Sequence, residues 1–140
     1  MIENMETNPE VIVNQMFKAD LFSQWLGIEI ESIETGSCAL KMTVRGEMCN
    51  GFGVTHGGIT YSFADSALAF ACNSRGMKSM SIETSISHTE PVRSGDTLTA
   101  IAKEVSLKNK IAIYDIPVKN QHNEVVALFK GTVYRSSKEW

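Results

Sequence analysis

Asn50-Gly51-Phe52-Gly53-Val54-Thr55-His56-Gly57-Gly58 runs directly into Ile59-Thr60-Tyr61-Ser62-Phe63-Ala64-Asp65-Ser66-Ala67-Leu68-Ala69-Phe70-Ala71-Cys72. The first part is polar and glycine-rich, a loop that delivers a histidine and two glycines to a helix start. The second part has large, small and apolar residues on every side and no solvated charged face, so it reads as a buried helix. Asn73-Ser74-Arg75-Gly76 ends it with a glycine stop. Asp65 is its one charge, near the middle. A carboxylate there must be paired, hydrogen-bonded or neutral, because a dry, unpaired charge is very costly.

Toward the N-terminus, Asn8-Pro9-Glu10 reads as a helix start, with a capping side chain, a proline at the first helical position and an acid in the first turn. Val13, Met16, Phe17 and Leu21 recur at helical spacing, which predicts one amphipathic helix from about residue 9 to 24. The preceding residues, 1–7, are expected to fray. Leu26, Ile28, Ile30 and Ile33 predict a strand that breaks near Glu34-Thr35-Gly36. Cys38, Leu40, Met42 and Val44 alternate with polar or small residues as a half-buried strand, paired with the first.

Beyond the helix the chain is nearly all strand. Met80, Ile82, Thr84, Ile86 and His88 are expected on one face, Ser81, Glu83, Ser85 and Ser87 on the other. Pro91 and Arg93-Ser94-Gly95-Asp96 make a turn. Leu98, Ala100, Ala102 and Val105 lie in the next strand, which turns at Lys108-Asn109-Lys110. Ala112, Tyr114, Ile116 and Val118 share one face of the strand after that, and Val125 to Tyr134 form the last. The expected class is α+β: a mostly antiparallel sheet of about six strands wrapped around one long helix, with a short N-terminal helix, in a single domain over 1–140. Such a sheet leaves edges that need cover, and edge-to-edge dimerisation would supply it.

Composition narrows the function. Apolar residues make up 43% and charged residues 21%, as in an ordinary globular chain. A net charge of −3 argues against nucleic-acid binding. Cys38, Cys49 and Cys72 are odd in number and lack metal spacing, which suggests free thiols in a reducing compartment. The acidic, polar start is no secretory signal, and no apolar run reaches the roughly 18 residues a membrane span needs. The cytoplasm is the expected location. No metal is expected, for want of a ligand cluster, and no redox cofactor, for want of a dinucleotide or phosphate-loop signature.

Asn50-Gly51, His56-Gly57-Gly58 and Ala64-Asp65, on a helix wrapped by an antiparallel sheet, resemble the hotdog-fold acyl-CoA thioesterases. Leu26-Gly27-Ile28, Met42-Thr43-Val44, Gly95-Asp96-Thr97-Leu98-Thr99-Ala100 and Tyr114-Asp115-Ile116 extend the resemblance to the phenylacetic acid degradation thioesterases, over roughly residues 15 to 135. The segment Ile86-Ser87-His88-Thr89-Glu90-Pro91 departs from the Ile-Asp-Phe-Leu-Arg-Pro usual there. The resemblance implies hydrolysis of an aryl-acetyl-CoA such as a ring-hydroxylated phenylacetyl-CoA, within phenylacetate degradation. Coenzyme A is then part of the substrate and no separate cofactor is needed.

Thioester hydrolysis requires a base or nucleophile, a donor set for the oxyanion and something to place the water. Asp65 is the candidate base or nucleophile, with a pKa that its apolar surroundings should raise. Gly57 and Gly58 at a helix start offer backbone N–H groups and the positive dipole end. The resemblance gives the oxyanion to the Gly57 amide, carbonyl polarisation to His56, the water or Asp65 to Asn50, and a further hydrogen bond to Ser81. Arg93, Lys108 and Lys110 sit in turns and are candidates for the coenzyme A phosphates, or solvated charges. His88 and His122 read as structural, and Cys72 as core.

Geometry adds a constraint. Eight residues separate Gly57 from Asp65, about 12 Å along one helix axis. One carboxylate cannot attack a carbonyl held at its own helix start, but two antiparallel helices side by side would bring Asp65 of one to Gly57 of the other. A dimer sharing its sites is therefore expected, and by resemblance a homotetramer of paired dimers. Two alternatives stay open: a hotdog enoyl-CoA hydratase or dehydratase, and a non-catalytic acyl-CoA binding protein.

Overall fold

The computed structural model describes residues 8–140, so the expectation of fraying at 1–7 lies outside the described residues. Two short helices, α1 (Pro9–Ala19) and α2 (Leu21–Leu26), lead into strands β1 (Glu29–Glu34) and β2 (Ser37–Thr43). The long helix α3 (Gly57–Asn73) follows, and then β3 (Met77–His88), β4 (Thr97–Leu107), β5 (Ile111–Lys119) and β6 (Val125–Glu139). The six strands form one sheet in the order β1-β2-β4-β5-β6-β3, with every neighbouring pair antiparallel. None of the helices described is long and apolar enough to cross a membrane.

The N-terminal region differs from the single helix expected over 9–24. Asn8 caps α1 as its sequence requires, accepting from the amides of Glu10 and Val11. The helix then breaks at Asp20, which leaves helical geometry and caps α2 by accepting from the Ser23 amide at 3.0 Å. The Ser23 hydroxyl in turn meets Ser66 Oγ on α3 at 2.8 Å. An acid that satisfies the first amides of a new turn outweighs continuation of the old one. Leu26, expected in a strand, ends α2, and Gly27 closes that helix at φ 77°.

The core lies between α3 and the sheet. Leu40, Met42, Leu98, Tyr114, Ile116 and Val133 point at the helix and are fully buried, as are Phe63, Ala67, Leu68 and Phe70 on its facing side. Alternation along β2 and β5 is what the sequence shows. Gly131 on β6 permits the close approach: a Cβ there would overlap the end of the Leu68 side chain. Phe17 of α1 packs edge-on against Phe70 and brings α1 onto α3.

Strand β3 departs from simple alternation. Ser81 pairs with Val133 and Thr84 with Gly131, and a bulge intervenes between Ser81 and Glu83. The bulge switches the faces. Ser81 therefore lies on the side of the buried Val133, while Met80 and Ile82 are 69% and 58% exposed. Beyond the bulge Thr84, Ile86 and His88 keep the inward parity. A second irregularity lies between Glu104 and Ser106, and Val105 within it is exposed.

Candidate active site

The loop before α3 is held on three sides. The Asn50 amide donates to Val54 O at 2.8 Å, the Thr55 amide to Val92 O at 2.6 Å and the His56 amide to Met48 O at 2.8 Å. Asn50 Oδ1 accepts from the amides of Phe52 at 2.9 Å and Val54 at 3.4 Å, a turn typical of Asn. Its carbonyl oxygen is thus committed to shaping the loop, which leaves its NH2 group as the part able to meet water or a carboxylate.

His56 is the N-cap of α3. Its Nδ1 accepts from the Gly58 amide at 3.2 Å, so Nδ1 carries no proton and any donor on this ring is Nε2. The Gly58 amide is consequently not free, which corrects the expectation that both glycines offer open N–H groups. Among the described residues the Gly57 amide has no acceptor. One unsatisfied donor at the positive end of a 17-residue helix is left for a ligand.

Separate clefts among the described residues border α3. Gly57 opens into one of about 450 Å³ with Thr55, Thr60, His88 and Glu90. His56 and Gly58 line another of about 320 Å³ with Phe22, Ser62 and Glu47. Asp65 faces a third of about 310 Å³ with Ser81, Ser79, Cys72, Asn73 and Trp140. The structure therefore brings Asp65 and Ser81 together, and separates both from Gly57 within one chain.

Asp65 is half-buried, and burial raises its carboxyl above the ordinary carboxylate range. No donor among the described residues reaches it, and burial is the one cause of the shift. Cys72 beside it is pushed up to about 12, chiefly by burial, and stays a thiol at neutral pH. Arg93 is exposed in the turn before β4, and Lys108 and Lys110 are exposed in the turn after it. The 11 residues of β4 lie between them, so these cations do not gather into one patch on a single chain.

Sequence reasoning missed two features of the clefts. Trp140 closes the Asp65 cleft, its Nε1 donating to Asn73 Oδ1 at 3.0 Å, and no local signal marks it. His88, read as structural, stands against Gly57: its Nε2 lies 3.1 Å from where a Cβ on Gly57 would sit. Its inward parity with Thr84 and Ile86 was the available clue.

A carboxyl raised by burial, with a free amide at the start of the same helix, suits acyl transfer to water. The thioesterase superfamily model matches residues 52–127. The Escherichia coli acyl-coenzyme A thioesterase PaaI is 39% identical, with 86% of each chain covered. Its solved structure superposes with a TM-score of 0.92 at 34% identity, covering 97% of this chain and 99% of that one. A mutant of the phenylacetic acid degradation protein PaaI from Thermus thermophilus superposes at 0.81 with 33% identity, over 84% of this chain and all of that one. The Streptococcus mutans protein smu.793, solved with acetyl CoA, shares the fold at 0.78 with 24% identity, over 81% of this chain and 91% of that one. The chain belongs to the thioesterase superfamily. Within it, this is a hotdog-fold thioester hydrolase of the PaaI family.

Proposed function

We propose that this chain hydrolyses an acyl-CoA to the free acid and coenzyme A, with an aryl-acetyl thioester, such as hydroxyphenylacetyl-CoA in phenylacetate breakdown, as the preferred substrate. One observation carries the reading. A carboxyl that no donor among the described residues reaches, with a pKa raised by burial, shares a helix with an amide that has no acceptor among them. In the reaction the Gly57 amide holds the thioester oxygen, and Asp65 takes a proton from water or attacks directly. Ser81, which lines the Asp65 cleft, and the Asn50 NH2 group orient the water in this reading. His56 offers only Nε2 to a ligand.

The site is assembled from two chains. Gly57 and Asp65 open into separate clefts, and β3 presents a free edge, since among the described residues it pairs only with β6. Pairing of β3 with its counterpart covers exposed Met80 and Ile82 and sets two α3 helices antiparallel. A pair of such dimers makes the tetramer. Arg93 of one chain, with Lys108 and Lys110 of another, then has a route to the nucleotide phosphates that one chain lacks. The setting is the cytoplasm.

The test is thiol release from phenylacetyl-, hydroxyphenylacetyl-, benzoyl- and short straight-chain acyl-CoA, with Asp65→Asn beside the parent. An aryl substrate is expected to turn over best, and the Asn form to lose at least about a hundredfold. Binding of acyl-CoA without thiol release by either protein would replace the enzyme with a binding module.

A further inference from the structure

We propose that His88 is a catalytic residue, donating from Nε2 to the thioester carbonyl oxygen alongside the Gly57 amide. The inference rests on the reading of the Gly57 amide as the oxyanion donor and adds a second donor to it. The sequence motif points to His56 for this task, but His56 Nδ1 is spent on the Gly58 amide and its ring lines a different cleft from Gly57. The imidazole that shares the Gly57 cleft is that of His88.

Four observations converge there. The β3 bulge and the pairing of His88 with Ala127, which is fully buried, put the ring on the helix side of the sheet. Its Nε2 is 3.1 Å from the Cβ position of Gly57, so ring and glycine are in contact and a side chain at Gly57 would displace the ring. No acceptor or donor among the described residues engages the His88 ring, although it is exposed to the cleft. The same cleft contains Thr55, 8% exposed, whose Oγ1 is the one buried side-chain polar atom without a partner among the described residues. A buried hydroxyl left unsatisfied beside a free amide and a free imidazole marks a site that receives a polar group.

The chemistry needs no further reactant. A water oxygen bonds to the carbonyl carbon as its proton passes to the carboxylate, and the C=O π pair moves onto oxygen, where two N–H groups hold it. The pair returns, the C–S bond breaks, and the departing thiolate takes the proton. His88 keeps its own proton throughout and stabilises charge only where charge develops.

The test uses the full chain with His88→Phe and His88→Gln, each also combined with Asp65→Asn, and a phenylacetyl-CoA labelled with carbon-13 at the carbonyl. In the Asp65→Asn background the bound carbonyl stretch is expected at lower frequency than in free substrate, with part of that shift lost in His88→Phe and kept in His88→Gln. In the active background His88→Phe should lose about tenfold or more in kcat with a smaller change in KM, and Gln should recover part of it. An unchanged carbonyl band together with kcat within about twofold in His88→Phe overturns the role of His88 while leaving the thioesterase intact. A parent that neither binds nor cleaves acyl-CoA overturns the function and this inference with it.

Discussion

Gly57 and Asp65 stand on one unbroken helix and open into different clefts, the first toward His88 and the second toward Ser81. An amide without an acceptor and a carboxyl without a donor among the described residues are thus held apart by the rigidity of α3. In the proposed dimer, a second chain completes each site.

The Gly57 amide can be deleted with little effect on the fold. Gly57 is the first residue of α3, where proline is well tolerated, and His56 at φ −57° and ψ 132° has the extended backbone that precedes proline. Gly57→Pro removes an N–H that makes no bond among the described residues, and its added ring carbons push the His88 imidazole aside, so both proposed oxyanion donors are lost together. The expected outcome is a melting temperature close to the parent's and a loss of about 10²–10³ in kcat, read by thiol release.

Asp65 should cost the fold stability at neutral pH. Burial raises its carboxyl, so the folded chain holds a proton where the unfolded chain releases it. Stability therefore falls as pH rises from the ordinary carboxylate range through the raised value, and stays lower above it. Asp65→Asn escapes that loss. It should melt above the parent at neutral pH and coincide with it in acid below about pH 4, as thermal unfolding across pH will show.

Glu104 has the opposite sign. Burial pushes its carboxyl up, but hydrogen bonds from Arg75 at 2.7 and 2.8 Å and from Tyr114 Oη at 2.7 Å prevail and hold it below the ordinary range. Its contribution is full above the ordinary glutamate range and is lost as pH falls through the lowered value. Glu104→Gln should cost about 1–3 kcal/mol in denaturant unfolding at neutral pH, with the deficit shrinking on acidification.

The seat of α3 depends on Gly131. A Cβ at this position would overlap Leu68 Cδ2 and lie 2.8 Å from Cδ1. Gly131→Ala should destabilise by about 1–3 kcal/mol, and adding Leu68→Ala should make the pair less costly than the sum of its parts. Strict additivity in denaturant unfolding would show that the two do not compete for space.

The hotdog layout was legible because its signals are local. A helix apolar on all sides and strands alternating on one face leave few arrangements, and Cys38, Leu40, Met42 and Val44 are all buried as their spacing requires. What was not legible depends on competition or on distance along the chain. Val13, Met16, Phe17 and Leu21 keep a helical period across Asp20, and only the Asp20–Ser23 cap shows why the helix breaks there. Ser81 shares a face with Thr84, against their spacing, because a bulge has no period. Asp65 and Gly57 stood out as chemistry, whereas His88 reaches Gly57 only through the pairing of β3 with β6, which no window of sequence contains.

The most direct measurement mixes two inactive chains. Asp65→Asn keeps a sound Gly57, and Gly57→Pro keeps a sound Asp65. If each site draws these residues from different chains, a mixed dimer holds one site with both lesions and one with none. Co-refolded protein is then expected to recover activity toward about half of the parent's per mixed dimer, although each variant alone is silent. If each chain builds its own site, every site in the mixture carries a lesion. Activity no higher than the sum of the separate variants would then contradict the shared site.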